Sequence, residues 1–313
     1  MQARSRVSKI KLIVNPASGR GYGHKACPLI RQYLTELGAD FDLVQTGASG
    51  EAIHLARQAL NEGFDTIVAV GGDGTSHEVV NGMMSAGRGP IVGTFGAIPT
   101  GCGNDFADMN GAPTDLEEAC RLILVGKTRL VDIGRVTLDD RITRHFVNTV
   151  GIGFDGLVTM EARKFKRLRG MALYLPVVLK TIFLTMRPPR VEIEFDGQVI
   201  RQRILMAVIA NGPREGSSFL VAPGARYDDG LLDLTIADTM PKLQMLAMVP
   251  KFMKGTHIHD SHVATKRARH LIVSSEDPLY IHVDGEVLCE EAHRVEATLI
   301  PSCLRIIAPA DTT

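Results

Sequence analysis

The sequence predicts two folded parts: an α/β domain built as three layers around a mostly parallel sheet, then a β-rich, β-sandwich-like domain. Three observations carry that reading. The chain has 313 residues, which at roughly 150 residues per domain is enough for two cores. Through Lys127 it alternates strand-like and helix-like patterns at short spacing. From Thr128 onward the texture changes to closely spaced β-like runs.

In the first part, residues 11–14 read as a buried strand and 25–37 as an amphipathic helix ended by Gly38. Residues 40–44 form a second strand, 51–61 a helix closed by Gly63, 66–70 a third strand and 77–84 a further helix. Strands alternating with helices of this length imply a parallel sheet with helices on both faces. In the second part the β-like runs are 129–136, 145–150, 190–195, 203–210, 231–236, 271–274, 280–283, 294–299 and 304–307. Turn signals such as Asp139-Asp140, Asp196-Gly197 and Asp229-Gly230 separate them, and helices interrupt at 170–186 and 241–254. The expected boundaries are 9–127, 128–301, and a C-terminal strand and tail at 302–313 that packs back on the first domain.

Composition narrows the function classes. Lys and Arg number 35 against 35 Asp and Glu, so a general nucleic-acid binder, which needs surplus positive charge, is excluded. Trp is absent and aromatics are 5%, which removes a stacking platform for single strands. The five cysteines are odd in number, scattered and without a CxxC pair, which points to a reducing compartment. No secretory signal is expected at the N-terminus, and the most apolar stretch, 171–186, is broken by Pro176 and Lys180. A cytoplasmic protein, peripheral at most on the inner face of the membrane, is the expectation.

The strongest local feature is Gly71-Gly72-Asp73-Gly74-Thr75, between an apolar strand and a helix. Glycines let a ligand approach the main chain, and the amides at the helix start point at an anion. A strand's carboxyl end in an α/β sheet is also where ligands bind. A carboxylate at Asp73 suits a nearby metal or sugar hydroxyl better than a pure anion cradle. Asn15-Pro16-Ala17-Ser18-Gly19-Arg20-Gly21 follows the first strand and fails the P-loop spacing at Lys25 and Ala26. Pro99-Thr100-Gly101-Cys102-Gly103-Asn104-Asp105 is the third such loop, with Asn104 or Asp105 placed to cap a short helix. Each alone could be a structural turn; three on one sheet favour a phosphate-bearing ligand.

Gly151-Ile152-Gly153-Phe154-Asp155-Gly156 matches GxGxxG, but no acid lies between Glu161 and Glu192 to meet a ribose. It reads as a glycine-rich strand end. Two acidic turns stand out later, Tyr227-Asp228-Asp229-Gly230-Leu231 and Ile281-His282-Val283-Asp284-Gly285-Glu286. Asp-Gly is the commonest hairpin turn, so both have a structural reading. Chemically, Asp229 could hold Mg²⁺, and Asp284 or Glu286 could take a proton from an attacking hydroxyl. His257, His259 and His262 with Asp260 resemble a metal cluster but lack helical i, i+4 pairing. From Arg163 to Arg190 the chain carries eight Lys or Arg and no acid, a candidate edge for docking on anionic lipid.

Taken in order, NPASG (15–19), GGDGT (71–75), PTGCGNDF (99–106), GIGFD (151–155), YDDGLLDL (227–234) and VDGE (283–286) resemble the bacterial diacylglycerol kinase and sphingosine-kinase-like lipid kinase family. The resemblance spans about residues 10–307. It implies an N-terminal domain like that of NAD kinases and phosphofructokinases, and an ATP-dependent lipid kinase using Mg²⁺. By that resemblance the nucleotide contacts fall on Asn15, Pro16, Ala17, Ser18, Gly19, Thr46, Gly71, Gly72, Asp73, Gly74, Thr75, Ser76, His77 and Cys102. The family usually has Thr or Ser where Cys102 stands, so the hydroxyl contact does not carry over. The family's Mg²⁺ site maps to Asp229 with the carbonyls of Arg226 and Leu231. Its catalytic carboxylate maps to Asp284 or Glu286, with Asp73 beside the phosphates, and the lipid lies in the β domain. A membrane lipid is the implied partner, and a homodimer is compatible with it. The competing readings are an NAD kinase, a phosphofructokinase-like sugar kinase and a non-catalytic nucleotide- or lipid-binding protein.

Overall fold

The structure, a computed structural model, describes residues 9–310 except 88, 165–170, 217 and 290, with side chains for all of these but 171–175. Its contacts divide the chain into two units. One runs up to Asp132 and resumes at Pro301; the other is Ile133–Ile300.

The first unit contains β1 (Ile10–Val14), α1 (Ser18–Glu36), β2 (Phe41–Gln45), α2 (Glu51–Asn61), β3 (Thr66–Gly71), α3 (Asp73–Ser85), β4 (Thr94–Pro99), α4 (Asp105–Met109) and α5 (Leu116–Val125). Its strands are parallel in the order β4-β3-β1-β2. Every residue of β3 is buried, as a central strand covered on both faces requires. Leu12, Val14, Val68, Val70 and Ile98 pack with Ile30 and Leu34 of α1 and with Ala119, Cys120 and Ile123 of α5. The alternate residues Ile13, Ile67 and Ala69 are equally buried and point to the opposite face. There α2 and α3 cross closely, because a Cβ on Gly82 would lie 2.3 Å from the carbonyl oxygen of Ile53.

The connection β5 (Lys127–Leu138) leads into the second unit. There follow β6 (Ile142–Phe146), β7 (Thr149–Gly153), α6 (Phe154–Arg163), α7 (Met171–Lys180), β8 (Arg190–Phe195), β9 (Gln198–Ala210), β10 (Leu232–Asp238), α8 (Lys242–Lys254), β11 (Val263–Ala268), β12 (His270–Leu279), β13 (Ile281–Val283) and β14 (Ala292–Ala308). Strand β9 serves two antiparallel sets. Its first half pairs with β8, continuing through β12 to β14, while its second half pairs with β10 and β7. Strand β13 adds to β7, and β11 to β10. Phe146, Val150, Ile152, Ile193, Ile209, Leu234, Leu271, Val273, Ile281 and Val295 form one core between these strands. Helical residues Val158, Val177, Val178, Met245, Met248 and Phe252 form another, with Met206, Val208 and Ala210 of β9.

Four of the expected elements differ in the structure. The run expected at 145–150 is two strands, β6 and β7, broken where the amides of Val147 and Asn148 turn to Asp284. The runs expected at 294–299 and 304–307 are one strand, β14, that continues through Pro301 and Ser302. Asp132 accepts the Ser302 N–H at 2.7 Å, and the strand's end pairs in parallel with β4 inside the first unit. The helix expected at 25–37 begins earlier, with Gly19, Arg20 and Gly21 left-handed at φ 54°, 61° and 88°. Within the helix expected over 170–186, α7 gives way to a π-helical turn at Thr181–Thr185. Gly170 lies outside the described residues. No helix among the described residues is long and apolar enough to cross a membrane.

Candidate active site

The chemistry-bearing residues gather in two places, one in each unit. In the first unit, the loops after β1, β3 and β4 meet at the carboxyl ends of parallel strands. A Cβ on Gly71 would lie 2.2 Å from Thr75 Oγ1, and one on Gly101 would lie 2.4 Å from the Cα of Gly72. The two loops therefore touch backbone to backbone, which only glycine allows. The Thr100 N–H donates to the Gly71 carbonyl at 2.9 Å, and the Asp73 N–H to that of Gly103 at 3.2 Å. Asn15 ties in the first loop. Its Nδ2 donates to Thr75 Oγ1 at 3.2 Å, its Oδ1 accepts from Ala17 N at 3.0 Å, and Ser18 Oγ lies 2.7 Å from Thr100 Oγ1. Gly19 must be glycine as well, since a Cβ there would meet the Thr100 carbonyl oxygen at 2.2 Å.

Asp73 Oδ1 accepts the Phe106 N–H at 3.2 Å and so caps α4 across the loop. That is the cap expected of Asn104 or Asp105; the Asn104 side chain makes none. Asn104 Oδ1 is instead buried without a hydrogen-bond partner among the glycine loops, an acceptor that a bound ligand's donor would satisfy. Ala17, Gly74 and Cys102 are exposed at this rim; Pro16 and Thr46 are half-buried, with the Thr46 N–H on the Val14 carbonyl at 2.8 Å. Ser76 and His77 are buried in α3, and His77 faces Asn81.

In the second unit, Val283-Asp284-Gly285-Glu286 is a two-residue hairpin turn. Asp284 and Gly285 have φ of 48° and 79°, and Val283 and Glu286 exchange backbone bonds of 2.8 and 2.9 Å. Asp284 Oδ2 accepts the Val147 N–H at 2.8 Å, and Oδ1 accepts those of Asn148 and Thr149, each at 2.9 Å. Asn148 in turn accepts the Tyr227 hydroxyl at 2.5 Å on Oδ1, which gives the tyrosine of YDDG a place in the same network.

Behind the turn, His282 is fully buried on β13, with Nε2 2.9 Å from Asp155 Oδ2 and 2.8 Å from Glu215 Oε1. Burial, and then the Asp155 charge, push the Glu215 carboxyl above its ordinary range. Burial opposes a charge on His282 while Glu215 and then Asp155 draw one to it, so the excess proton belongs to the cluster, and Glu215 gives it up later than an ordinary carboxyl. This cluster was not legible as a site in the sequence; its signal was the acid within GIGFD, just after β7, the strand that pairs with the one carrying a histidine beside DGE. The three glycines of GIGFDG all serve packing. A Cβ on Gly151 would strike Asp155 and His282, on Gly153 the Leu205 carbonyl oxygen, and on Gly156 that of Tyr280.

Asp155, Glu215 and His282 are also a group of the right kind for a metal, their ligand atoms within 4.8 Å of one another. A nitrogen among two carboxylates suits a transition metal rather than Mg²⁺. At the other acidic turn, Asp229 Oδ1 accepts the Leu231 N–H at 3.2 Å and Oδ2 pairs with Arg267, which also reaches Asp233 at 3.4 Å. Arg226 pairs with Asp228 at 3.1 Å. As arranged, the Asp229 carboxylate is neutralised by a guanidinium, with which a cation would compete. The histidines of 257–262 do not converge. His257 is buried and stacked on Phe252 at 3.9 Å, while Asp260 joins Lys251 and His262.

The family described as "Diacylglycerol kinase catalytic domain" matches residues 9–136, and the "YegS C-terminal NAD kinase beta sandwich-like domain" matches 148–308. A diacylglycerol kinase of Bacillus subtilis (strain 168) is 31% identical over 284 residues, 90% of each chain. One of Mycobacterium tuberculosis (strain ATCC 25618 / H37Rv) is 30% identical over 308 residues, 98% of this chain and 97% of that one. The crystal structure of a diacylglycerol kinase from Bacillus anthracis str. Sterne shares the fold, with a TM-score of 0.76 at 22% identity over 99% and 100% of the two chains.

Proposed function

Because the chain belongs to the diacylglycerol kinase family, phosphotransferases acting on an alcohol group, we propose that it transfers the γ-phosphoryl group of ATP to a hydroxyl of a membrane lipid, diacylglycerol first among them. The observation that carries the choice of a nucleotide is the backbone contact of Gly71–Gly72 with Gly101–Gly103 at the carboxyl ends of β3 and β4. Gly72 caps the start of α3 without a side chain, and the unpartnered Asn104 Oδ1 adds an acceptor.

Phosphoryl transfer needs positioning and charge neutralisation, because its transition state is loose and its charge is spread over three oxygens. The glycine-loop amides would hold the phosphates. Mg²⁺ arriving with the nucleotide would neutralise charge on the transferring group. Asp73 stabilises the loop by capping α4, and its carboxylate is fixed beside the glycines.

Of the two candidate bases, Asp284 is committed to three main-chain N–H groups. We assign the proton-accepting role to Glu286, on the same turn and half-buried, and a positioning role to Asp284.

The membrane side of the proposal rests on α7, the π turn and α8. Leu184 and Leu243 are 79% and 76% exposed, with Phe183 and Leu179 also exposed. Lys242 donates to the Phe183 carbonyl at 3.0 Å, which places α8 beside the π turn. α8 carries three lysines and no acid, and Arg163–Arg190 eight basic residues and no acid. Apolar tips among basic residues fit an anionic lipid surface. Of that segment, Lys166, Arg167 and Arg169 lie outside the described residues.

Incubating the full chain with γ-labelled ATP and vesicles of mixed lipid classes tests the proposal. Label should enter diacylglycerol or a lipid of similar headgroup; label in NAD and in no lipid would overturn it.

A further inference from the structure

The bonds around the DGE turn close into a ring. Thr149 gives its N–H to Asp284 Oδ1 at 2.9 Å and its hydroxyl to Glu215 Oε2 at 3.0 Å. The other Glu215 oxygen lies 2.8 Å from His282 Nε2, which Asp155 Oδ2 approaches to 2.9 Å. On the far side of the imidazole, Nδ1 accepts the N–H of Gly285 at 3.2 Å, back in the turn.

This geometry selects a tautomer. A ring nitrogen that accepts an N–H carries no proton, so the imidazole proton sits on Nε2 and is donated between the carboxylates. The same geometry disfavours a metal. A histidine bound through Nε2 keeps its proton on Nδ1, which would then meet the Gly285 N–H donor against donor. Two buried carboxylates share one N–H, so a further proton is best held on the carboxylate side, as the raised pKa of Glu215 also indicates.

We propose that His282 is the positioning residue of the turn bearing Glu286: Nδ1 fixes the Gly285 peptide, and Asp155 and Glu215 fix the ring. Gly285 immediately precedes Glu286, so rotation of its peptide redirects that carboxylate. Gly151 fits the role, since a Cβ there would lie 2.2 Å from both Asp155 Oδ2 and His282 Nε2. The α6 acid of GIGFD is thereby tied, through a histidine 127 residues away, to the turn. The inference rests on reading the DGE turn as catalytic, but it has a readout independent of that reading.

The test begins with the wild-type full chain carrying ¹⁵N-histidine. Long-range ¹H–¹⁵N spectra should show His282 as the neutral Nε2–H tautomer between pH 6 and 8. An imidazolium, an Nδ1–H tautomer, or stoichiometric zinc or manganese with shifted His282 signals would overturn the proposal. Next, His282→Asn keeps an acceptor near Gly285 but leaves the two acids unbridged. Its kcat for lipid phosphorylation should fall about tenfold to a hundredfold with KM for ATP within about twofold. Unchanged kcat in a folded variant would overturn the positioning role. Glu215→Gln is the second variant. It should retain the tautomer and lose less kcat than His282→Asn; a loss as large, with the tautomer intact, would move the role to Glu215. If Asp284→Asn and Glu286→Gln are both fully active, the catalytic reading fails while the spectrum still reports on the ring.

Discussion

The Asp284 carboxylate accepts the Thr149 backbone N–H at 2.9 Å, while the Asp284 N–H donates to the Thr149 carbonyl at the same distance. With Val147 and Asn148 also on that carboxylate, one acid pins the junction of β6 and β7 to the hairpin after β13. A residue that the sequence offers as a base is, in the fold, a clamp.

Asp284 and Glu286 should therefore separate on mutation. Asp284→Ala leaves three amides without their charged acceptor and should cost about 3 kcal/mol or more. Glu286→Gln should unfold at nearly the wild-type urea midpoint but lose about a hundredfold or more in kcat. Urea titration with lipid-kinase assays on both variants checks this, and a stable Asp284→Ala would contradict it.

Gly101→Ala should damage the nucleotide loop without disturbing the second unit. The added Cβ would lie 2.4 Å from the Gly72 Cα, a backbone contact that no side-chain rotation relieves. About 1–3 kcal/mol of strain is expected, with ATP affinity down at least about tenfold. Calorimetric titration with ATP reads the affinity; wild-type affinity would show that the two loops do not form the site.

The His282 cluster should make stability fall as pH rises. Glu215, held up by burial and by Asp155, keeps a proton in the fold that the unfolded chain releases. A raised folded pKa adds stability that is complete below the unfolded value and lost above it. The loss should therefore begin above about pH 4.3, the ordinary glutamate value. Each extra proton held gives a slope of up to about 1.4 kcal/mol per pH unit. Denaturant midpoints from pH 5 to 9 should drop in wild type and flatten in Glu215→Gln; parallel curves would remove the effect from this cluster.

Leu184→Glu with Leu243→Glu should weaken binding to anionic vesicles at all salt concentrations, because it removes apolar insertion. Lys164→Glu with Lys242→Glu should weaken it mainly at low salt, each lysine contributing about 1 kcal/mol near the surface. Vesicle sedimentation at two ionic strengths separates these terms. Binding unchanged in both double variants would leave this face as ordinary solvated surface.

Glu161 complicates that surface. It is buried, and Lys164 and Lys180 lie at 2.5 Å from its two oxygens, so two of the eight basic residues share one internal negative charge. Lys164 and then Lys180 lower its pKa by hydrogen bonding. Counting charges along 163–190 finds no acid, because Glu161 stands two residues before the segment and only α6 brings it back.

Much of the fold was legible because local patterns repeat within a window of one element. The strands at 11–14 and 66–70 carry the apolar runs Leu12–Val14 and Ile67–Val70, and both runs are buried in central strands. Strand β4 was not read, since Thr94-Phe95-Gly96-Ala97-Ile98-Pro99 carries a glycine and a proline that lower strand propensity. Gly96 is there for packing: a Cβ would lie 2.6 Å from Ile123 Cδ1 of α5. Strand β14 was read as two runs because Pro301 and Ser302 interrupt the pattern, while the fold carries the strand through them.

By itself the sequence determined the division into an α/β and a β-rich part, the glycine loops and the motifs that mark a lipid kinase. These depend on residue type and spacing within a few positions, where φ restrictions, hydrophobic periodicity and turn chemistry act. Tertiary structure alone decided what each acid does. Asp73 caps α4, Asp284 pins two strands, Asp229 pairs with Arg267, and Asp155 and Glu215 share a histidine proton. A carboxylate's role is set by the donors and charges within about 3–4 Å of it. In this chain those partners lie from about thirty to more than a hundred residues away in sequence, at distances where only the folded backbone brings them together.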